Sequence, residues 1–225
     1  MIHSYSSLDC YQNCPRQMYE RYITKSAPFV DTPETLAGKA DHKALEKRLL
    51  HDVPLPVNLT QCEPICASLE ARAIPQLEVK MGVDRNCEEA GFWDGDVYIR
   101  GVLDLALYNP TFTSVFIGDW KTGKNREAQK EPLQLMIFAA FVFSYYKELQ
   151  SVMATNIYTK TGQMGHVHSW QRSELPELWR TIIPLVHEVE AAEASGYFPE
   201  KPSGLCGWCP VFSCSHNRVK QRAPT

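Results

Sequence analysis

Apolar residues change period several times along the chain, and each change marks an element. Near the start, "SYSSLDCYQN" reads as a short helix with Ser6 and Ser7 available as caps; Pro15 interrupts it and "RQMYERYI" resumes it. Residues 32–52, "TPETLAGKADHKALEKRLLHD", predict a helix with Leu36, Ala40, Ala44, Leu45 and Leu49 on its inner side. A weaker helical stretch follows in "NLTQCEPICASLEARAI", where Pro64 is placed to open the second half. The period then shortens. "PQLEVKMGV", "DVYIRGVLDLALY" and "SVFIGDW" are β-rich runs separated by "WDGD" and "NPTFT" turns, which predicts an antiparallel meander. "AQKEPLQLMIFAAFVFSYYKEL" is apolar on most sides and is expected to be a helix buried against that sheet. "SVMATNIYT" and "MGHVHSWQ" bracket a turn at 160–163 as a further hairpin. "SELPELWRTIIPLVHEVEAAEASG" is an amphipathic helix stopped by Gly196. The remaining stretch, from Phe198 on, is rich in proline and cysteine and has no periodicity, so something other than an apolar core must hold it.

Length and charge then narrow the possibilities. At 225 residues the chain can bury a substantial core in one domain, or in one domain with a small appendage. No apolar run approaches the roughly 20 residues of a membrane span, and the first residues lack the apolar core of a secretory signal. An intracellular, cytoplasmic protein is expected, with no membrane partner. The formal charge of -3 argues against nonspecific coating of nucleic acid but permits a local basic channel. Eight cysteines in a reducing compartment point to metal or cluster ligation wherever they are closely spaced.

The acidic residues fall where strands end. Asp104 sits in "GVLDLAL", on the run before the one that finishes in Asp119-Trp120-Lys121. Residues 119 and 121 share one face of a strand. If the two runs are neighbours, both carboxylates and the ammonium converge at one sheet edge. Phosphodiester hydrolysis needs such a set: hard oxygen ligands for a divalent ion, and a positive group to orient water and offset phosphate charge. A lone D-x-K triplet arises freely by composition, so the ordered set carries the argument. His42 lies four residues after Gly38, a residue small enough to let the helix approach that edge. Glu78, on the first β-run, reads either as a surface glutamate or as an additional ligand. Lys124, Arg126 and Lys130 follow the acidic strand as a basic loop, suited to tracking phosphates. Trp93, Trp120 and Trp208 are stacking candidates for unpaired bases if they are exposed.

His42 in "GKADHKALE", Asp104 in "GVLD", "DWKTGK" and Gln134 in "QLMIF" together resemble the successive motifs of RecB-type nucleases of the PD-(D/E)XK superfamily. The resemblance extends to "SSLDCYQNCPRQMYERY" and to the cysteine-rich end. It implies that His42, Asp104 and Asp119 bind Mg or Mn, with the Trp120 carbonyl as a further contributor. It also implies that Lys121 serves the attacking water and that Gln134 helps position DNA. The family often has tyrosine four residues after the glutamine; this chain has Phe138.

Cys206, Cys209 and Cys214 place three thiols within nine residues, a spacing suited to one metal centre that needs a fourth ligand. His216 is close enough in sequence to complete a zinc site. The chain is also similar to AddB-type and CRISPR-associated RecB-like nucleases, in which one cysteine near the N-terminus joins three near the C-terminus around a [4Fe-4S] cluster. That resemblance assigns the distant ligand to Cys14, in "NCPRQMYERY", in preference to Cys10. Cys62, Cys66 and Cys87 read as small apolar residues.

The expected fold is therefore α/β: a restriction-endonuclease-like core with a central mixed sheet flanked by helices, plus a small cysteine-ligated subdomain joining the N- and C-termini. The expected boundaries are 1–30 for the N-terminal helical part, 31–198 for the nuclease core and 199–225 for the cysteine-rich segment. The resemblance implies a metal-dependent deoxyribonuclease, with an exonuclease in recombination, repair or phage DNA processing ahead of a structure-specific or restriction-like endonuclease or a noncatalytic assembly subunit. Its expected substrate is DNA with a free end. No P-loop pattern occurs, so a helicase would be a separate chain, as would an annealing protein or CRISPR adaptation proteins.

Overall fold

A computed structural model describes residues 1–27, 29–123 and 132–219. The chain divides into two compact units, Asp31–Arg180 and the pair of segments Met1–Val30 with Thr181–Thr225.

The larger unit is built on a mixed sheet. Its strands are β1 (Gln76–Val83), β2 (Glu89–Ala90), β3 (Ile99–Tyr108), β4 (Ser114–Lys121), β5 (Ser151–Tyr158), β6 (Gln163–Met164) and β7 (His168–Gln171). They run in the order β2-β1-β3-β4-β5-β6, with β7 also on β5. β1, β3 and β4 form the expected antiparallel meander, in register at Leu77 with Leu105 and at Leu105 with Gly118. The Asn109 carboxamide closes its second turn by accepting from the Thr113 and Ser114 amides. β5 lies parallel to β4, Asp119 beside Asn156. Parallel neighbours require a crossover, and the segment between them contains α5 (Leu133–Tyr145). Residues 128–131 of the expected helix lie outside the described residues. Within α5, Leu135 and every residue from Ile137 to Ser144 are buried. Close packing on the sheet needs Gly101 of β3, where an added Cβ would stand 3.1 Å from Phe138 and 3.2 Å from Phe141.

α3 (Pro33–His51) starts at a reciprocal cap between Thr32 and Thr35, with Pro33 in its first turn. Leu45 and Leu49 pack into a core with Leu105, Leu107, Trp120 and Ile157, and with Cys62 and Cys66 beside α4 (Glu63–Glu70). Pro64 lies in the first turn of α4, as its position suggested. Leu36 and Ala40 do not join that core. Leu36 is 54% exposed. At about 100° per residue, Leu36 and Leu45 stand roughly 180° apart on a helix, so one side cannot hold both. The position beside Leu49 in the buried stripe goes to Arg48, whose guanidinium donates to Glu63 (2.7 Å) and Glu70 (2.8 Å).

In the smaller unit α1 (Tyr5–Asn13) is capped by Ser4, with Ser7 returning the bond, in place of the expected Ser6 and Ser7. The capping side chain must precede the first helical residue, and Ser7 already lies at the third. Cys14 is extended (φ -163°) between α1 and α2 (Pro15–Met18), which Pro15 opens. The Arg16 amide donates to the Pro199 carbonyl, tying this start to the C-terminal segment. α6 (Leu175–Ser195) begins in the larger unit and continues into the smaller, and Gly196 (φ +67°) follows it. Among the described residues no helix is long and apolar enough to cross a membrane.

Candidate active site

The β3–β4 register carries Asp104 and Asp119 to the same end of the meander. There the Trp120 amide donates to Asp104 Oδ2 at 2.8 Å. α3 brings His42 to the same carboxylate, with Nδ1 3.6 Å from Asp104 Oδ2. The close approach depends on Gly38, where an added Cβ would stand 3.1 Å from Thr122 Oγ1, just past β4. Glu78 completes the group. Ligand atoms of His42, Glu78 and Asp104 all lie within 4.8 Å of one another. Glu78 reaches this position from a left-handed backbone (φ +50°) inside β1, between the pairs Leu77 with Leu105 and Val79 with Leu103. A non-glycine residue there carries a cost of about 1–2 kcal/mol.

Asp119, which is 3% exposed, has other company. Lys121 Nζ lies 2.5 Å from its Oδ2 and donates to Gln134 Oε1 at 2.6 Å. Gln134 Nε2 donates in turn to Asp119 Oδ1 at 2.8 Å. The triangle fixes the orientation of the Gln134 amide, since its oxygen faces an ammonium and its nitrogen a carboxylate. Asp119 Oδ2 is buried and ion-paired with the Lys121 ammonium. The imidazole and two carboxylates that converge, His42, Glu78 and Asp104, are a donor set that fits a divalent cation. His42, Glu78 and Asp104 are the side chains that would hold it; Asp119, expected from the sequence as a ligand, lies outside that group and is engaged by Lys121 and Gln134.

Burial, reinforced by the neighbouring charges of Asp119 and Glu78, pushes the Asp104 carboxyl up to about 7, against the Trp120 amide and Lys121. Its ordinary value is near 3.9. Between those two values the folded, metal-free chain holds a proton that the unfolded chain has released, so stability falls as pH rises through this window. Asp104→Asn removes the loss. In excess chelator its melting temperature is expected to exceed the parent's at pH 8 and to converge with it near pH 4–5. Thermal melts of both proteins across pH 4–8 check this, and a melting-temperature difference that does not change with pH would overturn it.

Several sequence expectations find their place here. His42, Asp104, Asp119, Lys121 and Gln134 come together, whereas Trp120 takes part through its backbone only. Its indole is buried in the core and offers nothing to a base. Phe138 is buried under α5 beside Gly101, so the position of the family's tyrosine is a core position in this chain. Trp93 and Trp208 are exposed. Lys124, Arg126 and Lys130 lie outside the described residues. Glu78, read from the sequence as a surface glutamate or an additional ligand, is exposed and has its carboxylate beside His42 and Asp104.

The second constellation belongs to the smaller unit. Cys14, Cys206, Cys209 and Cys214 line one small, partly open pocket, together with His216 and Asn217. Cys10 is not among the lining residues, and burial pushes its thiol up to about 11. Asn217 holds the loop by donating to the carbonyls of Cys209 (2.8 Å) and Val211 (2.9 Å). Among the described residues, no three ligand atoms of this group fall within 4.8 Å of one another. His216 Nε2 lies 3.5 Å from Glu200. Cys62 and Cys66 are core residues, as their surroundings in the sequence suggested.

Residues 70–214 match the family model of the PD-(D/E)XK nuclease superfamily. The chain belongs to that superfamily. Asp119-x-Lys121 has the spacing that the name of the PD-(D/E)XK superfamily describes, while Leu103 stands where its proline would precede Asp104. His42 and Cys14 lie outside the matched residues. Among solved structures the chain is similar to the crystal structure of SSO0001, with a TM-score of 0.50 and 14% identity over 94% of this chain and 85% of that one. It also matches a candidate exonuclease from Eubacterium rectale, with a TM-score of 0.47 and 13% identity over 92% of each chain. No curated protein matches the chain. The α/β core, with a mixed sheet flanked by helices, is consistent with the PD-(D/E)XK superfamily.

Proposed function

We propose that this PD-(D/E)XK protein is a Mg- or Mn-dependent DNA exonuclease. The observation that carries the reading is the convergence of His42, Glu78 and Asp104 within 4.8 Å, at the end of the meander that also bears the Asp119–Lys121–Gln134 triangle. A divalent ion held there supplies Lewis acidity and offsets charge on the phosphate. The side chains supply the rest. Lys121 brings the positive charge that orients the attacking water and faces the phosphate. Gln134 holds that ammonium in place and presents its amide toward the DNA backbone. Water oxygen bonds to phosphorus, the bond from phosphorus to one sugar oxygen breaks, and that oxygen leaves with a proton.

The cysteine set supports the choice of an exonuclease, because the cluster-bearing nucleases that the chain resembles act on DNA ends, in recombination, repair or the processing of phage DNA. Cys14, Cys206, Cys209 and Cys214 are the residues that would hold a [4Fe-4S] cluster. The cluster is structural in this reading, since its ligands and the acidic residues belong to different units.

The test is digestion of end-labelled linear DNA beside a covalently closed circle of the same sequence. Release of nucleotides from the linear form with Mg or Mn, an intact circle, and no cleavage in excess chelator are expected. Cleavage of the circle would make the protein an endonuclease with the same ligands. Full activity in chelator would overturn the metal mechanism.

A further inference from the structure

We infer that the loop between β2 and β3 is a single-strand platform, on which Trp93 stacks an unpaired base while Arg100 and Lys80 take the adjoining phosphates. This rests on the nuclease reading and extends it to the form of DNA that enters the site. Trp93 is 73% exposed although it is the largest apolar side chain of the loop. It does not stand alone. Phe92 packs edge-on against it, with ring centroids 4.8 Å apart, which stiffens the indole from one side. The Arg100 guanidinium lies 4.9 Å from the Trp93 centroid and 4.7 Å from that of Phe92. Lys80 Nζ lies 5.7 Å from Trp93. Arg100 donates one hydrogen bond, to the Phe92 carbonyl at 3.0 Å, and a guanidinium has five N–H donors. Among the described residues neither Arg100 nor Lys80 has a carboxylate partner.

Three of the acidic residues of the same hairpin have partners, whereas Glu89 and Asp96 are exposed. Asp94 accepts from the Gly91 amide, Asp84 from the Asn86 and Glu88 amides, and Glu88 from Lys147. Two unpaired cations beside an exposed, buttressed indole match a nucleotide, with a π-face for the ring and positive charge for the phosphate. A base paired within a duplex hides its face, so the complementary ligand is a single strand. The platform also has a defined relation to the chemistry. Lys80 follows Glu78 by two residues on β1, and Arg100 precedes Asp104 by four on β3. At about 3.3 Å per residue, the arginine is on the order of 13 Å from the acid. A few nucleotides bridge that distance.

The experiment measures binding without cleavage. Fluorescence anisotropy of a labelled oligo(dT) 12-mer and of a blunt duplex of equal length is followed in calcium, for the full chain and for Trp93→Ala. Stacking of one base is worth about 1–3 kcal/mol, so Trp93→Ala is expected to weaken oligo(dT) binding about 10-fold and duplex binding less than 2-fold. Arg100→Gln should lower the salt dependence of oligo(dT) binding, by about 0.7 in the log–log slope for one lost phosphate contact. Unchanged oligo(dT) affinity in Trp93→Ala, an equal loss on both ligands, or no oligo(dT) binding by the parent would overturn the platform. Trp93 is exposed, so unaltered melting temperatures separate these outcomes from misfolding. Cleavage assays on the parent decide the nuclease reading independently of this one.

Discussion

Asp119→Ala and Lys121→Ala are each expected to lower turnover on linear DNA at least ~100-fold, the scale of removing a group that acts on the transition state. Melting temperatures should stay close to the parent's. The reason is the triangle. Without Asp119, Lys121 still donates to Gln134 at 2.6 Å, so no ammonium is orphaned. Without Lys121, Gln134 still donates to Asp119 Oδ1 at 2.8 Å. Each single change therefore leaves the remaining pair hydrogen-bonded while removing a carboxylate or a cation from the site. Single-turnover rates at saturating Mn, with thermal melts alongside, make the measurement. Near-normal turnover in either variant would show that the chemistry lies elsewhere.

The triangle also shows how far the sequence could be read. Strand alternation around Asp104 and Asp119, and a turn between their strands, were enough to bring the two acids to one edge. Gly38 announced the approach of α3, because a helix can come close to a strand end only where a side chain is missing. Gln134 was visible through a family resemblance alone, since nothing in "PLQLMIF" distinguishes it from a helix-capping glutamine. Glu78 was legible as a candidate ligand or a surface glutamate, but its backbone conformation was not. A left-handed residue within a strand has no signature unless it is glycine, asparagine or aspartate. The parallel pairing of β5 with β4 was equally silent, because partners on either side of a crossover helix are chosen by the packing of α5 on both strands. The capping serine was missed by two positions, an ordinary uncertainty where three serines fall within four residues.

Losing any one of four cysteines should have the largest effect on the integrity of the smaller unit. Anaerobically purified protein is expected to be brown, with iron and sulfide near four each per chain, because a [4Fe-4S] cluster is held by four thiolates. Cys14→Ser should bleach it as completely as Cys206→Ser, Cys209→Ser or Cys214→Ser, since all four line the one cavity. Cys10→Ser should keep the colour. The polypeptide explains why bleaching matters: between Pro199 and Val219 the backbone makes turns and a single short 3-10 helix, Gly204–Gly207. Leu205, Trp208 and Phe212 point into solvent, leaving Val211 as the buried apolar anchor of that stretch. Such a segment buries too little apolar surface to offset its ordering entropy, and ligand bonds must make up the difference. Limited proteolysis of bleached variants should therefore cut first within residues 199–219, at protease levels that leave the parent whole. Cleavage of DNA should decline less than the colour, because His42, Glu78, Asp104 and Asp119 belong to the other unit. Colourless parent protein carrying one zinc, with His216 required and Cys14 dispensable, would replace the cluster by a zinc site and leave the nuclease assignment standing.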